Sequence, residues 1–434
     1  MSILFTNSTV LTMDGSRAPL KNAFVAVEGE TIAYVGQTRP EGSFDRVVDG
    51  AGKVMMPGFV NAHTHLPMTL MRGYGGGHDL QSWLHDYIFP AEARLDARAV
   101  AAGTDLGLAE MIATGVTCVA DMYMHTPVIA DRIVKAGLSG NLSCGGVYFG
   151  ATEDFSEDKC GDCRNQRVLT EQWHGNNGGQ IRVDASIHGE YTSNAPLWRW
   201  MADYAKEYGL RMHVHASETV SEHEASIARN GKTPIQTLNQ YGVWDNGGIA
   251  AHCVYTTPED WALMKEKGVS CVHNPWSNLK LGSGIAPVPA MKRAGVNVAL
   301  GSDGMSSHNA ADLFSDMKLA ACLPCGAQRD PVAMGAWDAL EMATVNGARA
   351  LGRTDTGMIA PGYVADLILV DFDHPNLTPC HDVAENLVFS ARPSNVVMNM
   401  ARGQVIYENG AFLTIDLERV RAEVEGYALP LLFG

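Results

Sequence analysis

Histidines and acids close several short apolar runs of this chain, and their spacing allows one metal ion to be shared among them. The run 58–65 ends in Asn61-Ala62-His63-Thr64-His65. In an extended segment side chains alternate, so His63 and His65 point to one side and two imidazoles can hold one ion. A single His-x-His carries little weight, because imidazole is also an ordinary buried hydrogen-bonding group. Three further runs end in His213-Val214-His215-Ala216-Ser217-Glu218, in Ala251-His252-Cys253 and in Leu300-Gly301-Ser302-Asp303. Buried separately, without a common partner, each polar group would cost roughly 1–3 kcal/mol if left unsatisfied. A shared cation removes that cost. Two imidazoles from the first run, one from the fifth and a carboxylate from the eighth give mixed N/O ligation with a position left for water. That pattern suits Zn²⁺ or Fe²⁺ in a catalytic rather than a structural site. The fourth run ends in His188 and not in a lysine that could bridge a second ion, so one divalent metal ion is expected.

These residues need elements to bring them to one place. Apolar runs at 58–65, 116–122, 142–149, 181–188, 210–215, 248–253, 269–273 and 296–303 alternate with helical stretches such as 99–113, 197–208 and 258–267. Eight strands alternating with helices indicate an α/β fold, a (β/α)8 TIM barrel, although an open doubly wound sheet has the same local pattern. In a barrel the active site lies at the C-terminal ends of the strands, where the histidines and acids fall. Residues 1–57 are β-rich and broken by turn signals, and the texture returns in 366–370 and 403–407. The expected organisation is a metal-dependent catalytic barrel at 58–361 and a small β-sandwich domain composed of 1–57 and 362–434. The polar segment 153–179 reads as a long surface loop or small insertion, a candidate part of a lid.

Composition narrows the function classes. The chain has 434 residues, 46% of them hydrophobic, with 48 acidic against 32 basic residues and a net charge of −16. That fraction supports a sizeable core, and the acidic balance opposes nucleic-acid binding through a basic patch. No basic n-region precedes a long apolar stretch, and no uncharged run reaches the ~20 residues of a membrane helix. Nine scattered cysteines do not resemble a disulfide framework. The expectation is a cytoplasmic protein with reduced thiols, acting on a small molecule, without nucleic-acid or membrane partners, and assembled as a homo-oligomer.

The chain resembles the amidohydrolase superfamily and, within it, the 5-methylthioadenosine/S-adenosylhomocysteine deaminases. The resemblance covers nearly the whole length. It is strongest in Pro57-Gly58-Phe59-Val60-Asn61-Ala62-His63-Thr64-His65-Leu66-Pro67-Met68-Thr69-Leu70-Met71-Arg72-Gly73, in His273-Asn274-Pro275 with Ser277-Asn278-Leu279-Lys280-Leu281, and in Gly301-Ser302-Asp303-Gly304. It implies that His63, His65 and His215 are metal ligands, with Asp303 as an axial ligand that also touches the water. It implies that Glu218 shuttles a proton to the substrate ring and that His252 acts beside the nucleophile as base or orienting group. Glu92 then accepts hydrogen bonds from ribose hydroxyls, and His188 contacts the substrate. The implied reaction is hydrolytic deamination of an adenine nucleoside, giving the inosine analogue and ammonia, with zinc, or alternatively ferrous iron, as cofactor. The alternative within the superfamily is a deaminase or dechlorinase of another aminated N-heterocycle, guanine-like, pterin-like or triazine; a non-catalytic barrel is opposed by the presence of all the ligands. Departures from the family pattern lie around the substrate rather than the metal. His188-Gly189-Glu190-Tyr191 stands where His-Ala-Pro-Tyr is usual, Gly137-Leu138-Ser139 lacks an arginine, and Ser307-His308-Asn309 replaces Ser-Asn-Asn.

Other signals point elsewhere. Cys160-Gly161-Asp162-Cys163 and Cys322-Leu323-Pro324-Cys325 are too distant in the chain, and too poor in neighbouring ligands, to form a zinc knuckle. Gly75-Gly76-Gly77 lacks a phosphate-cradling Gly-Lys-Ser/Thr and reads as a flexible connection over the barrel mouth. Trp83 is a candidate for stacking on a purine; for it and Trp276, core or rim packing is the commoner use of an aromatic. His125 and His308 read as ordinary surface or satisfied histidines.

Overall fold

The computed structural model describes residues 2–434. Eight chain segments build a closed parallel barrel: Phe59–His65, Val116–Met122, Ser139–Ser143, Ile181–Val183 with Ala185–Gly189, Met212–Ala216, Gly248–His252, Val269–His273, and Val298–Leu300 with Asp303–Gly304. The eighth segment returns to the first, with Asp303 paired to Thr64 and Gly304 to His65, so the doubly wound alternative is excluded. Closure is achieved by two five-stranded sheets sharing the fourth and eighth segments, which break at Asp184 and at Gly301-Ser302. Across the second break the Gly301 N–H still donates to the His273 carbonyl at 3.1 Å, which turns Asp303 back toward the first strand.

The helices expected at 99–113, 197–208 and 258–267 lie within Ala97–Ala113, Ala195–Tyr208 and Pro258–Lys267. The last begins with a capping box, Thr257 accepting from the Asp260 N–H while the Asp260 side chain accepts from the Thr257 N–H.

Two segments differ from the sequence reading. The third strand is Ser139–Ser143 rather than 142–149, because Gly145 takes a left-handed conformation (φ 64°) and residues beyond it leave the ladder apart from one bridge, Gly146 to Ile187. The segment 153–179 is not a loop throughout: Gly161–Trp173 is a helix, burying Cys163, Gln166, Leu169 and Thr170 at helical spacing. Its one sparse stripe of buried positions, two of them polar, is too weak a pattern to see against so polar a background.

The termini form one nine-stranded sheet. Ser2–Val10 pairs antiparallel with Leu20–Glu28, and Lys53–Pro57 pairs antiparallel with Leu367–Asp371, which joins the two ends of the chain. Residues from both ends, among them Ile3, Phe5, Val25, Ile32, Leu369 and Met398, fill a single apolar core between the faces of the curled sheet. The final stretch is helical from Leu417 and lies on the barrel helix Ala97–Ala113, where the Arg98 guanidinium sits 4.0 Å above the Tyr427 ring and pairs with Glu423 at 2.8 Å. Among the described residues no helix is long and apolar enough to cross a membrane.

Candidate metal centre and active site

The ligand atoms of His63, His65, His215 and Asp303 lie within 4.8 Å of one another, the one such group of three or more histidines, cysteines or acids among the described residues. His63 and His65 come from the C-terminal end of the first strand, His215 from the fifth and Asp303 from the eighth. Backbone carbonyls orient two of the imidazoles: His65 Nδ1 donates to the Met122 carbonyl at 2.6 Å and His215 Nδ1 to the His188 carbonyl at 2.7 Å. In the neutral rings both Nε2 atoms therefore carry lone pairs, and they face each other at 3.3 Å. Two lone pairs so close repel, whereas nitrogens about 2.0–2.1 Å from a tetrahedral zinc sit roughly 3.3–3.4 Å apart. The geometry fits a divalent ion.

His63 completes the nitrogen set through a relay. His213 and His63 share a 2.8 Å hydrogen bond between Nε2 and Nδ1, and His213 Nδ1 lies 3.1 Å from Ser143 Oγ. With His63 Nδ1–H donating to His213, and His213 Nδ1–H to Ser143, His63 Nε2 remains a buried atom without a hydrogen-bond partner, 3.4 Å from Asp303 Oδ1. Burial pushes His63 down to about 3 and His215 well below the usual imidazole value, so both are neutral donors ready for a metal. Burial acts in the same direction on His65, but the Asp303 carboxylate outweighs it and lifts this group to about 9; a cation in the cluster takes the place of that proton. Burial would raise Asp303, yet the neighbouring imidazoles prevail and hold it well below the usual carboxylate range. Its other oxygen accepts from Ser277 Oγ at 2.5 Å and Ser307 Oγ at 2.9 Å. Gly301 permits this packing, since a Cβ there would stand 2.5 Å from Asn274 Oδ1 and 2.8 Å from the His63 carbonyl.

Two further groups converge on the cluster. His252 Nδ1 donates to Asn278 Oδ1 at 2.8 Å, leaving Nε2 unpartnered and 3.7 Å from Glu218 Oε2. Glu218 is 3% exposed, accepts from Ser283 Oγ at 3.1 Å, and is raised by burial, with His252 opposing. A buried carboxyl whose protonated form burial favours, beside an imidazole nitrogen without a hydrogen-bond partner, is the arrangement of an acid–base pair. The loop carrying Glu218 is held by Glu222, which accepts the backbone N–H groups of Ser217 (2.9 Å) and Glu218 (2.7 Å).

A cavity of about 480 Å³ opens from the cluster. His188 lies in its wall with its ring 4.5 Å from His215, and burial lowers it to about 4. Glu92 faces the same space and accepts a 2.6 Å hydrogen bond from the Tyr123 hydroxyl. Trp83 is buried and lines the wall, its Nε1 donating to the Tyr74 carbonyl at 3.4 Å. Trp276 is 40% exposed and packs edge-on against His308, which is paired with buried Asp316 at 3.0 Å outside the cavity. Sequence reasoning did not single out His213, Tyr123, Glu222, Asn278 or the two serines on Asp303. His213 carried the signal of a polar residue at an inward strand position, and Ser277 and Asn278 lay in a stretch of the family resemblance without an assigned role.

The Amidohydrolase family model matches residues 54–406. A 5-methylthioadenosine/S-adenosylhomocysteine deaminase of Caldanaerobacter subterraneus subsp. tengcongensis is 40% identical, covering 100% of this chain and 99% of its own. A 5'-deoxyadenosine deaminase of Methanosarcina acetivorans is 39% identical over 99% of this chain and 98% of its own. Among solved structures, a zinc-bound adenosine deaminase of Xanthomonas campestris superposes with a TM-score of 0.93 at 32% identity, covering 99% of this chain and 98% of that one. The family match spans the whole barrel rim on which the four ligands converge, and the chain belongs to the amidohydrolase family.

Proposed function

We propose that the protein is a metal-dependent aminohydrolase that converts an adenine nucleoside and water into the inosine analogue and ammonia. The observation that carries this reading is the acid–base pair of Glu218 and His252 placed against the four-ligand cluster. Full-length relatives bearing nucleoside deaminase names support it. His63, His65, His215 and Asp303 would hold the ion, zinc by the precedent of the Xanthomonas structure. When bound, such an ion supplies Lewis acidity that brings the pKa of water from 15.7 toward about 7.

The protein's own groups perform the proton transfers. His252 Nε2, free because Nδ1 is committed to Asn278, accepts a proton from the attacking water and aims it at the amino-bearing ring carbon. Glu218, whose protonated form burial favours, donates to the adjacent ring nitrogen and makes that carbon electrophilic. His252 then returns its proton to the amino nitrogen, Glu218 takes the remaining hydroxyl proton as the ring carbonyl forms, the C–N bond breaks, and ammonia leaves. His188 and Trp83 flank the ring, and Glu92, held by Tyr123, accepts from the ribose hydroxyls. That last pair favours a nucleoside over a bare aminated heterocycle.

The test is a panel of adenine nucleosides and free bases with zinc-reconstituted protein, followed by ammonia release. Nucleosides are expected to turn over and free bases to do so poorly. Turnover confined to free bases would overturn the substrate assignment.

A further inference from the structure

Beyond the metal cluster and Glu218, the cavity wall carries, among the described residues, the carboxyls of Glu92 and Asp162 and no basic side chain other than imidazole. Among the described residues that line it, the acids are Glu92, Asp162, Glu218 and Asp303, and none is lysine or arginine. Asp162 is supplied by the helix Gly161–Trp173, so the segment 153–179 reaches the substrate space. Its carboxylate is fixed rather than free to swing away, because Oδ2 accepts the Val147 N–H at 2.8 Å on the loop after the third strand. On that loop Cys144 lines the wall within 3.5 Å of Thr126 Oγ1, and burial pushes its thiol up to about 12, leaving it neutral. Met124, Val147 and Phe149 make the rest of this side apolar. Outside the cluster the lining imidazoles are His188 and His252, beside the ligands, and His85, exposed at the rim.

With the amino-bearing carbon at the cluster, as the deaminase reading requires, this wall is open to the 5' end of a nucleoside. We propose that the wall is a charge filter for the substituent at the 5' carbon: neutral, apolar substituents are accepted and anionic ones are disfavoured, with Asp162 and Cys144 as the specificity-determining residues. The filter rests on the deaminase reading above. A carboxylate or phosphate entering this space gives up hydration, meets the Asp162 carboxylate and finds no cation to replace the lost water. A methyl or methylthio group finds Met124, Val147 and Phe149.

The experiment compares kcat/KM of the zinc-loaded protein for 5'-deoxyadenosine, 5-methylthioadenosine, adenosine 5'-carboxylate and adenosine 5'-monophosphate. The first two are expected to exceed the other two by at least about tenfold. Equal values for 5-methylthioadenosine and adenosine 5'-carboxylate would overturn the filter alone, and no turnover of any of the four would overturn the deaminase reading with it. Asp162→Asn removes the charge while keeping an acceptor for the Val147 N–H, and Phe149→Arg places a cation at a position that is 75% exposed. Each is expected to narrow the ratio between the neutral and carboxylate substrates by about threefold or more. A structural role alone would lower both values in proportion, so an unchanged ratio in both variants also overturns the assignment.

Discussion

At the barrel rim, Ser217, His252, Cys253 and Asp303 hold left-handed backbone, with φ of 53°, 75°, 50° and 61°, and the buried Nε2 atoms of His63 and His252 have no hydrogen-bond partner. In the terminal sheet, left-handed non-glycine residues such as Asn7 and Asn22 sit at irregularities of the ladder, and Arg402 and Asn409 sit at turns. Its core is a cluster of apolar side chains, with a few buried polar groups such as Ser8, Asp366 and Asn399 at its margins. Left-handed conformations cost about 1–3 kcal/mol each and persist only where surrounding structure over-determines them. The rim thus spends stability to aim functional groups, and the sheet at the other end of the fold holds stability without chemistry. The comparison has measurable consequences.

The largest concerns the ion. Exhaustive treatment with a chelator should abolish deamination and lower the melting temperature, and added zinc should restore both, since a ligand that binds only the native state stabilises it. Activity that survives removal of the metal would break the comparison at its root. Next, Glu218→Gln should reduce kcat by about 10²–10⁴-fold. It should leave the zinc content and the melting temperature unchanged or slightly raised, because the buried carboxyl is already disfavoured as an anion. Retained turnover would remove Glu218 from the proton pathway.

The opposite signature belongs to the sheet. Phe5→Ala, at a fully buried position of the terminal core, should cost about 3–5 kcal/mol in denaturant unfolding while kcat per folded molecule stays the same. A comparable loss of kcat would show that the sheet and the rim are coupled. The smallest expected effect is a pH dependence. Burial raises the Asp366 carboxyl to about 6, against the opposing Arg402 N–H and Arg353 charge. Between about pH 4 and 6 the unfolded chain releases this proton while the folded protein keeps it, so native stability falls as pH rises through that window. The loss is up to about 3 kcal/mol. Asp366→Asn should flatten that part of the profile relative to the parent protein, a comparison in which the shared groups cancel. An identical slope in both would move the effect to another buried acid.

Much of the rim was legible because periodicity encodes it. His63 and His65 two residues apart, and acids or histidines closing apolar runs, need only strand alternation to be placed inward at one end of a barrel. What escaped notice depends on neighbours remote in sequence. Tyr123 has no motif of its own, and its meaning comes from Glu92, 31 residues earlier. Asn278 matters because His252 lies 26 residues before it, and Glu222 because the backbone at Ser217 turns left-handed. The helix Gly161–Trp173 was hidden by its polarity, and the third strand was misplaced because a glycine ends the ladder.

The amino-acid sequence by itself determined the alternation of strands and helices, the apolar terminal strands and the identity of the metal-ligating side chains, since each follows from local propensity and from which residues can bind an ion. Tertiary structure alone decided that two imidazole Nε2 atoms meet at 3.3 Å, that Glu218 is buried 3.7 Å from a His252 nitrogen without a hydrogen-bond partner, and that Asp162 reaches the cavity wall. Those properties arise from distance and desolvation between groups far apart in the chain, which only the closing of the barrel sets.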